Sequence, residues 1–287
     1  MTTIITERLQ KYSIQSAEAE KDALKEILQA IILYGLSGTE FFEEALFQGG
    51  TALRILHNLQ RFSEDLDFIL KKPNPDFKWQ PFLRAIEDVC KEFGIVSEVI
   101  DKSKSDHTVQ KMILKDNSIV KFLNLSFHHH FEKKLTIKLK IDTNPPAGST
   151  SEIKFLDFPL AFMVEAQDLP SNFAGKSHAL LCRKYMKGRD WYDFLWYVSK
   201  EISPNFVFLS NAINQQGPWA GQNIQVTGQW YLAALQEKIK IIDWEKAADE
   251  VAPFLNKSDR TTLKLWGKPF FQDRLEKLNR ILQSHSS

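Results

Sequence analysis

Two aspartates separated by one residue, in Arg61-Phe62-Ser63-Glu64-Asp65-Leu66-Asp67-Phe68, have the types and spacing that chemistry most often requires. Leu66 to Leu70 has strand character. Side chains on a strand repeat every two residues, so both carboxylates leave one face while Leu66 and Phe68 leave the other. Two like charges a few ångströms apart raise one pKa unless a cation neutralises them. A hard divalent ion, most simply Mg²⁺, is the natural partner for such oxygens. The competing reading is an aspartate-rich strand end that faces water. A third carboxylate, Asp142, ends the alternating segment Leu135-Thr-Ile-Lys-Leu-Lys-Ile-Asp142, on the polar face with Lys138 and Lys140. If that strand lies beside Asp65 and Asp67, three carboxylates converge and can hold two metal ions. Two metals suit in-line phosphoryl or nucleotidyl transfer, one activating the attacking oxygen and the other neutralising a leaving pyrophosphate. Asp142 could equally serve as a polar cap before the Asn144-Pro145 turn.

Just upstream, Gly49-Gly50-Thr51 precedes a short helical pattern. Paired glycines at a helix start let backbone N–H groups approach an anion closely, and the helix N-terminus adds partial positive charge. Thr51 could give a hydroxyl donor or act as the N-cap; a purely structural turn is the alternative. Further on, Lys176 to Arg189 contains Lys176, Arg183, Lys184, Lys187 and Arg189 and no acidic residue. One helix there would put Lys176, Arg183 and Lys187 on neighbouring faces, a clamp for a triphosphate, with arginine favouring bidentate contact and lysine a point charge. A solvated cationic surface is the alternative. Gly188 is expected to end this helix and Arg189-Asp190 to begin another. There Asp190 could be an N-cap, and Asp193 could hydrogen-bond Arg183 or Arg189.

Other conspicuous residues carry less. Three consecutive histidines, His128 to His130, alternate faces on a strand and cannot all ligate one ion, so a surface tract is expected. Trp191, Phe194, Leu195 and Val198 read as helix core, as do most of the late tryptophans Trp196, Trp219, Trp230, Trp244 and Trp266. Cys90 and Cys182 lack metal-site spacing and read as free thiols of a reducing compartment.

The elements that must position these groups follow from periodicity. Ala17 to Tyr34 reads as an amphipathic helix, with Leu24, Ile27, Leu28 and Ile31 on one face and Gly35-Leu-Ser-Gly38 as its end. Thr39 is expected to cap a second helix through Leu46, and Thr51 to Leu59 a third. The Leu66 strand stops at Pro73-Asn-Pro75, and Pro81 to Phe93 reads as a helix. Strands are expected over Ile95 to Ile100, Thr108 to Leu114 and Ile119 to Phe127, the last two joined as a hairpin across Lys115-Asp-Asn-Ser118. Beyond about residue 165 helical patterns take over. The expectation is an α+β chain: a mixed-sheet lobe with flanking helices over residues 1–165, then a helical lobe over 166–287 that carries the basic stretch and completes a cleft.

The 287 residues are 43% hydrophobic and 25% charged, and Lys plus Arg at 37 nearly balances Asp plus Glu at 36. That balance excludes binding of nucleic acid by bulk positive charge but leaves room for a local basic groove. The start has no basic segment followed by an apolar stretch, and the apolar run Ala30 to Leu36 falls far short of the roughly 20 residues of a membrane span. A cytoplasmic protein without membrane partners is the expectation.

Gly49-Gly-Thr51, Arg61-Phe-Ser63-Glu-Asp65-Leu-Asp67, Leu139-Lys-Ile-Asp142-Thr-Asn-Pro-Pro, Phe173-Ala-Gly-Lys176-Ser-His-Ala-Leu and Arg189-Asp190-Trp-Tyr-Asp193-Phe occur in this order over roughly residues 45 to 200. Together they resemble the AbiEii/AbiGii-type nucleotidyltransferase toxins, relatives of the MenT toxins. The resemblance implies a nucleotidyltransferase-like mixed sheet with flanking helices. It implies Mg²⁺-dependent transfer of a nucleoside monophosphate from an NTP to an acceptor hydroxyl, with a tRNA 3′ end as the expected acceptor. It also implies the toxin of a type IV, AbiE-like toxin–antitoxin or phage-defence system, reversed by a cognate antitoxin. Asp65, Asp67, Asp142, Lys176 and Asp190 would then be catalytic, with metal at the first three. Gly49, Gly50, Thr51, Arg61, Ser63, Lys176, Arg183 and Asp193 would bind nucleotide. The resemblance weighs Lys176 through its Ala-x-Lys-x-x-Ala-Leu setting, and Asp190 ahead of Asp193. Two other readings stay open: the same fold acting on a protein or small molecule, and a non-catalytic nucleotide-sensing module.

Overall fold

A computed structural model describes residues 2–103, 108–116, 118 and 135–284. The chain forms two compact units, Met1–Pro145 with Glu152–Ala166, and Pro146–Ser151 with Gln167–Ser287. Among the described residues, no helix is long and apolar enough to cross a membrane.

The first unit is built on a sheet of β1 (Ala45–Gln48), β2 (Asp65–Leu70), β3 (Ser97–Asp101), β4 (Val109–Asp116), β5 (Leu135–Asp142), β6 (Ser151–Leu156) and β7 (Phe162–Gln167), in the order β3-β4-β5-β2-β1-β7-β6. β2 runs parallel to β5 and antiparallel to β1, while β4 is antiparallel to both β3 and β5. The sheet is therefore mixed, as the α+β expectation requires. Its apolar face takes Leu66 and Phe68 of β2 and Leu139 and Ile141 of β5, paired Leu66 with Leu139 and Phe68 with Ile141. Helices α1 (Thr2–Gln10), α2 (Ala17–Ser37), α3 (Phe41–Glu44), α4 (Gly49–His57) and α5 (Gln80–Glu92) complete this unit. Ser16 caps α2 by accepting the Ala19 N–H at 3.2 Å, and Leu24, Ile27, Leu28 and Ile31 of its apolar stripe are all buried. Phe41 packs edge-on to Phe68 at 4.9 Å and is stacked with Trp79 at 5.6 Å, which anchors β2 by its inward ring.

The second unit is helical: α6 (Leu169–Cys182), α7 (Gly188–Ser199), α8 (Phe206–Gln215), α9 (Gly228–Ile241), α10 (Trp244–Val251) and α11 (Lys268–Ser284), with two short 3₁₀ segments before α11. Asp168 caps α6 by accepting the Ser171 N–H at 2.9 Å, and Pro170 sits in the first turn, where its missing N–H costs nothing. Trp244 stacks on Phe271 at 3.8 Å, and Trp191 meets both rings edge-on at 5.0 and 5.4 Å. Phe173 stacks on Tyr197 at 4.3 Å.

Several local expectations change. α2 continues through Gly35 and ends at Gly38, with Gly35 in ordinary packing contact with α5. The helix expected from Thr39 to Leu46 is only Phe41–Glu44, and Ala45 becomes extended so that β1 can pair with β2. β1, β6 and β7 carry no strand expectation from the sequence. β1 is a short buried central strand without alternation, which periodicity cannot separate from helix. The expected strand Ile119 to Phe127, its hairpin partner role and the three histidines lie outside the described residues. Most consequential, Lys176 to Arg189 is not one helix. α6 ends at Cys182, Arg183 takes an extended conformation, and α7 starts at Gly188 after Lys187.

Gly188 begins α7 because that helix touches the backbone of α10. A Cβ there would fall 1.9 Å from the Ala247 carbonyl oxygen, whereas one at Gly175 inside α6 would meet nothing within 4 Å. Gly188→Ala is expected to cost about 1–3 kcal/mol or more through overpacking. Gly175→Ala is expected to stabilise by about 0.5–1 kcal/mol by removing helical glycine entropy. Urea denaturation midpoints of the two variants should therefore move in opposite directions.

Candidate active site

Each unit gathers one cluster of the residues singled out in the sequence. In the first, the β1–β2 register places Gln48 opposite Asp67, so the next residue, Gly49, starts α4 beside that carboxylate. Gly49 has φ +79, and a Cβ on it would lie 3.1 Å from Asp67 Oδ2. A Cβ on Gly50 would fall 2.4 Å from Arg61 Nη2 and 3.1 Å from Ser63 Oγ. Gly49 is favoured by its left-handed backbone and its tight approach to Asp67, and a Cβ on Gly50 would displace the buried end of Arg61. Arg61 is buried beneath this turn and donates to the Phe62 carbonyl at 3.0 Å. Thr51 is not the N-cap, a position taken by Gln48; it is fully buried and donates its hydroxyl to the Asp65 carbonyl. Its oxygen ties α4 to the start of β2 rather than pointing outward. Behind the strand start, Gln29 donates to the Ser63 carbonyl at 3.0 Å and Lys25 pairs with Glu64 at 2.8 Å.

Asp65 and Asp67 share the polar face of β2, opposite Lys138 and Lys140 of β5, and Asp142 stands on that face opposite Ile69. The Lys140 ammonium forms an ion pair with Asp65, so a cation already lies against that carboxylate. Asp142 accepts the Asn144 N–H at 3.0 Å and so does cap the turn. Among the described residues no three His, Cys, Asp or Glu side chains stand close enough to hold a metal as a set. The three-carboxylate convergence is therefore a pair with a third carboxylate further along the same face. Mg²⁺ usually takes one or two carboxylates and fills its shell with water and substrate phosphate oxygens. The Asp65–Asp67 pair fits such an ion, and the lysine at Asp65 occupies a place where positive charge is favourable.

In the second unit Lys176, on α6, forms ion pairs with Asp190 at 2.9 Å and Asp193 at 2.8 Å, both on α7 and both buried. Asp190 is the third residue of α7, not its N-cap, and its other oxygen takes the Arg183 guanidinium. Burial alone would raise the Asp190 carboxyl, but Lys176, Arg183 and Lys187 together bring it down to about 2. Burial lowers the Lys187 ammonium to about 8, opposed by Asp190 and helped by the neighbouring cations. Asp193 meets Lys176 at 2.8 Å. Arg189 pairs with Glu250 of α10 at 3.1 Å and lies 4.0 Å over the ring of Phe254, just beyond that helix. The break between α6 and α7 is what makes this possible: it folds Arg183 back onto Asp190 instead of leaving it on a helix face. Lys140 and this arginine-to-carboxylate return were not assigned in the sequence. The Lys140 partnership has a sequence signal in its period-two spacing from Asp142, whereas the arginine return has none.

The first unit thus sets an Asp-x-Asp strand of a mixed sheet against a glycine-opened helix. A crystal structure of a candidate nucleotidyltransferase from H. pylori matches at TM-score 0.50 and 17% identity, covering 91% of this chain and 92% of the other. JHP933 from Helicobacter pylori matches at TM-score 0.49 and 16% identity, covering 92% and 91%. The MenT4 nucleotidyltransferase toxin from Mycobacterium tuberculosis matches at 0.47 and 16%, covering 97% and 99%. No curated protein matches in sequence. The family described as nucleotidyl transferase AbiEii toxin, type IV TA system, matches residues 31–277. The chain belongs to that family and is a nucleotidyltransferase.

Acid stability should report the Asp190 cluster. With a folded-state carboxyl near 2 against an ordinary 3.8, the folded protein binds this proton less tightly than the unfolded chain. Its stabilisation, about 2 kcal/mol, is full above roughly pH 4 and disappears as the pH falls toward 2. Asp190→Asn should lack that acid-limb slope in urea unfolding between pH 4 and 2. At pH 7 it should also lose about 3–5 kcal/mol, because two cations lose a buried partner.

Proposed function

We propose that this chain is a Mg²⁺-dependent toxin that moves a nucleoside monophosphate from an NTP to an acceptor hydroxyl at a tRNA 3′ end. The observation that carries the reading is the pair Asp65 and Asp67 on one strand face, with Asp67 against the glycine-opened start of α4. Asp65 and Asp67 hold the metal, with Asp142 on the same face. Bound there, Mg²⁺ supplies Lewis-acid polarisation of the phosphoryl oxygens and charge neutralisation for the departing pyrophosphate. Gly49 and Gly50 present backbone N–H groups to the triphosphate. Thr51, Arg61 and Ser63 brace that turn from below. Lys176 and Arg183 offer positive charge to phosphate, and Asp190 and Asp193 aim them. The acceptor oxygen bonds the α-phosphorus as the bond to pyrophosphate breaks, and its proton passes to solvent.

Three cations (Lys176, Arg183 and Lys187) surround two carboxylates in the second unit, which favours an added anion there. Family membership further supports a cognate antitoxin and a type IV, AbiE-like role. A cytoplasmic setting and a part in phage defence belong to the same proposal.

Incubation with each labelled NTP, Mg²⁺ and total tRNA should label the tRNA in one or more of the four reactions. Asp65→Ala should reduce labelling by more than about a hundredfold. Equal labelling by wild type and variant, or none with any nucleotide, overturns the proposal. Label entering protein or small molecules, but not tRNA, assigns the same chemistry to another acceptor.

A further inference from the structure

The segment between α6 and α7 leaves one large ring in solvent that none of the roles above uses. Tyr185 is 66% exposed. Single exposed aromatics are ordinary on protein surfaces, but this one is held. The Arg183 guanidinium carbon stands 5.2 Å from its ring centroid, and the same guanidinium is bound to the buried carboxylate of Asp190. Asp190 is fixed in turn by Lys176 at 2.9 Å. A chain of a buried carboxylate, an arginine and a ring therefore presents Tyr185 from the interior of the second unit.

Lys184, its neighbour in sequence, is exposed as well, and the run from Lys176 to Arg189 contains no acidic residue. A guanidinium on one ring face and an exposed lysine next in sequence suit a flat, electron-rich partner that carries phosphate. Nucleobases stack on aromatic rings without sequence preference, and adjacent lysines take the backbone charge. An acidic peptide would use the charges but not the ring; an apolar partner would use the ring but strand the charges.

We infer that Tyr185 is a nucleobase-stacking residue, with Lys184 neutralising phosphate beside it. The inference deepens the function proposed above and rests on it for the identity of the ligand as a nucleotide. The base belongs either to the incoming NTP or to the single-stranded end of an acceptor RNA. Arg183 and Asp190 act here as positioning residues for the ring.

The test is equilibrium binding without turnover. A fluorescein-labelled single-stranded RNA of mixed sequence is followed by anisotropy, and each NTP with Mg²⁺ by calorimetry. The proteins are wild type, Tyr185→Ala, Tyr185→Phe and Lys184→Gln. Tyr185→Ala should weaken at least one ligand class by about 5- to 150-fold, with an unchanged melting temperature because the ring is exposed. Tyr185→Phe should stay within about twofold, since it keeps the face. Lys184→Gln should reduce the salt dependence of RNA binding by about one phosphate contact. Loss confined to RNA assigns the acceptor base, and loss confined to NTP assigns the incoming base. If Tyr185→Ala binds both classes as wild type does, or Tyr185→Phe loses as much as Tyr185→Ala, stacking is overturned. Normal tRNA labelling together with that result would remove the stacking role alone. Stacking without any label transfer would remove the proposed acceptor chemistry alone.

Discussion

The position of β2 between β1 and β5 governs the first unit. Leu66 and Phe68 must enter the core, where Phe68 meets Phe41 and pairs across to Ile141. Because strand side chains alternate, burying those two forces Asp65 and Asp67 onto the opposite face. A slip by one residue would turn both carboxylates into an apolar layer, where each must protonate or stay charged without a partner, so the register is strongly fixed. The same register sets Gln48 opposite Asp67 and therefore brings Gly49 against that carboxylate. Core packing and the arrangement of the polar face are in this sense one constraint.

Charge is managed alike in the two units, with a lysine set against carboxylates in each. Lys140 answers Asp65 on the sheet, and Lys176 sits between Asp190 and Asp193 in the helical unit. The consequences differ because burial differs. Asp65 is half-buried on a face with several lysines, so water shares in its solvation. Asp190 and Asp193 are buried, and their carboxylates would be costly without the cations around them. The second cluster is therefore held together by its own ion pairs, two carboxylates against Lys176 and Arg183.

Backbone choices support both clusters at specific points. Gly49 and Gly50 let Asp67 and Arg61 approach the start of α4 closely, and Gly188 permits α7 to meet the α10 backbone. Thr51 shows how a residue of suggestive type can be absorbed by structure: its hydroxyl serves the Asp65 carbonyl, and its side chain is fully buried. Arg189 is similar, engaged by Glu250 and the Phe254 ring. Residue type alone does not distinguish such braces from groups that meet a ligand.

How far the sequence could be read depended on whether each signal was local. Alternation in Leu135–Asp142 marked β5 at its full extent, and the Asp-x-Asp spacing fixed a shared face because strand geometry has a period of two. The glycine pair, the amphipathic α2 and the α+β class were legible for the same reason, and the ordered motifs gave the family. Short buried β1 carried no such period, and the break between α6 and α7 was hidden because Arg183 to Lys187 contains no proline or glycine to announce it. Only tertiary structure decided that Arg183 returns to Asp190, that Lys140 rather than a third carboxylate answers Asp65, and that Asp193 meets Lys176. Those choices depend on distances between residues far apart along the chain. They are set by which buried charge finds a partner once the helices and strands have packed.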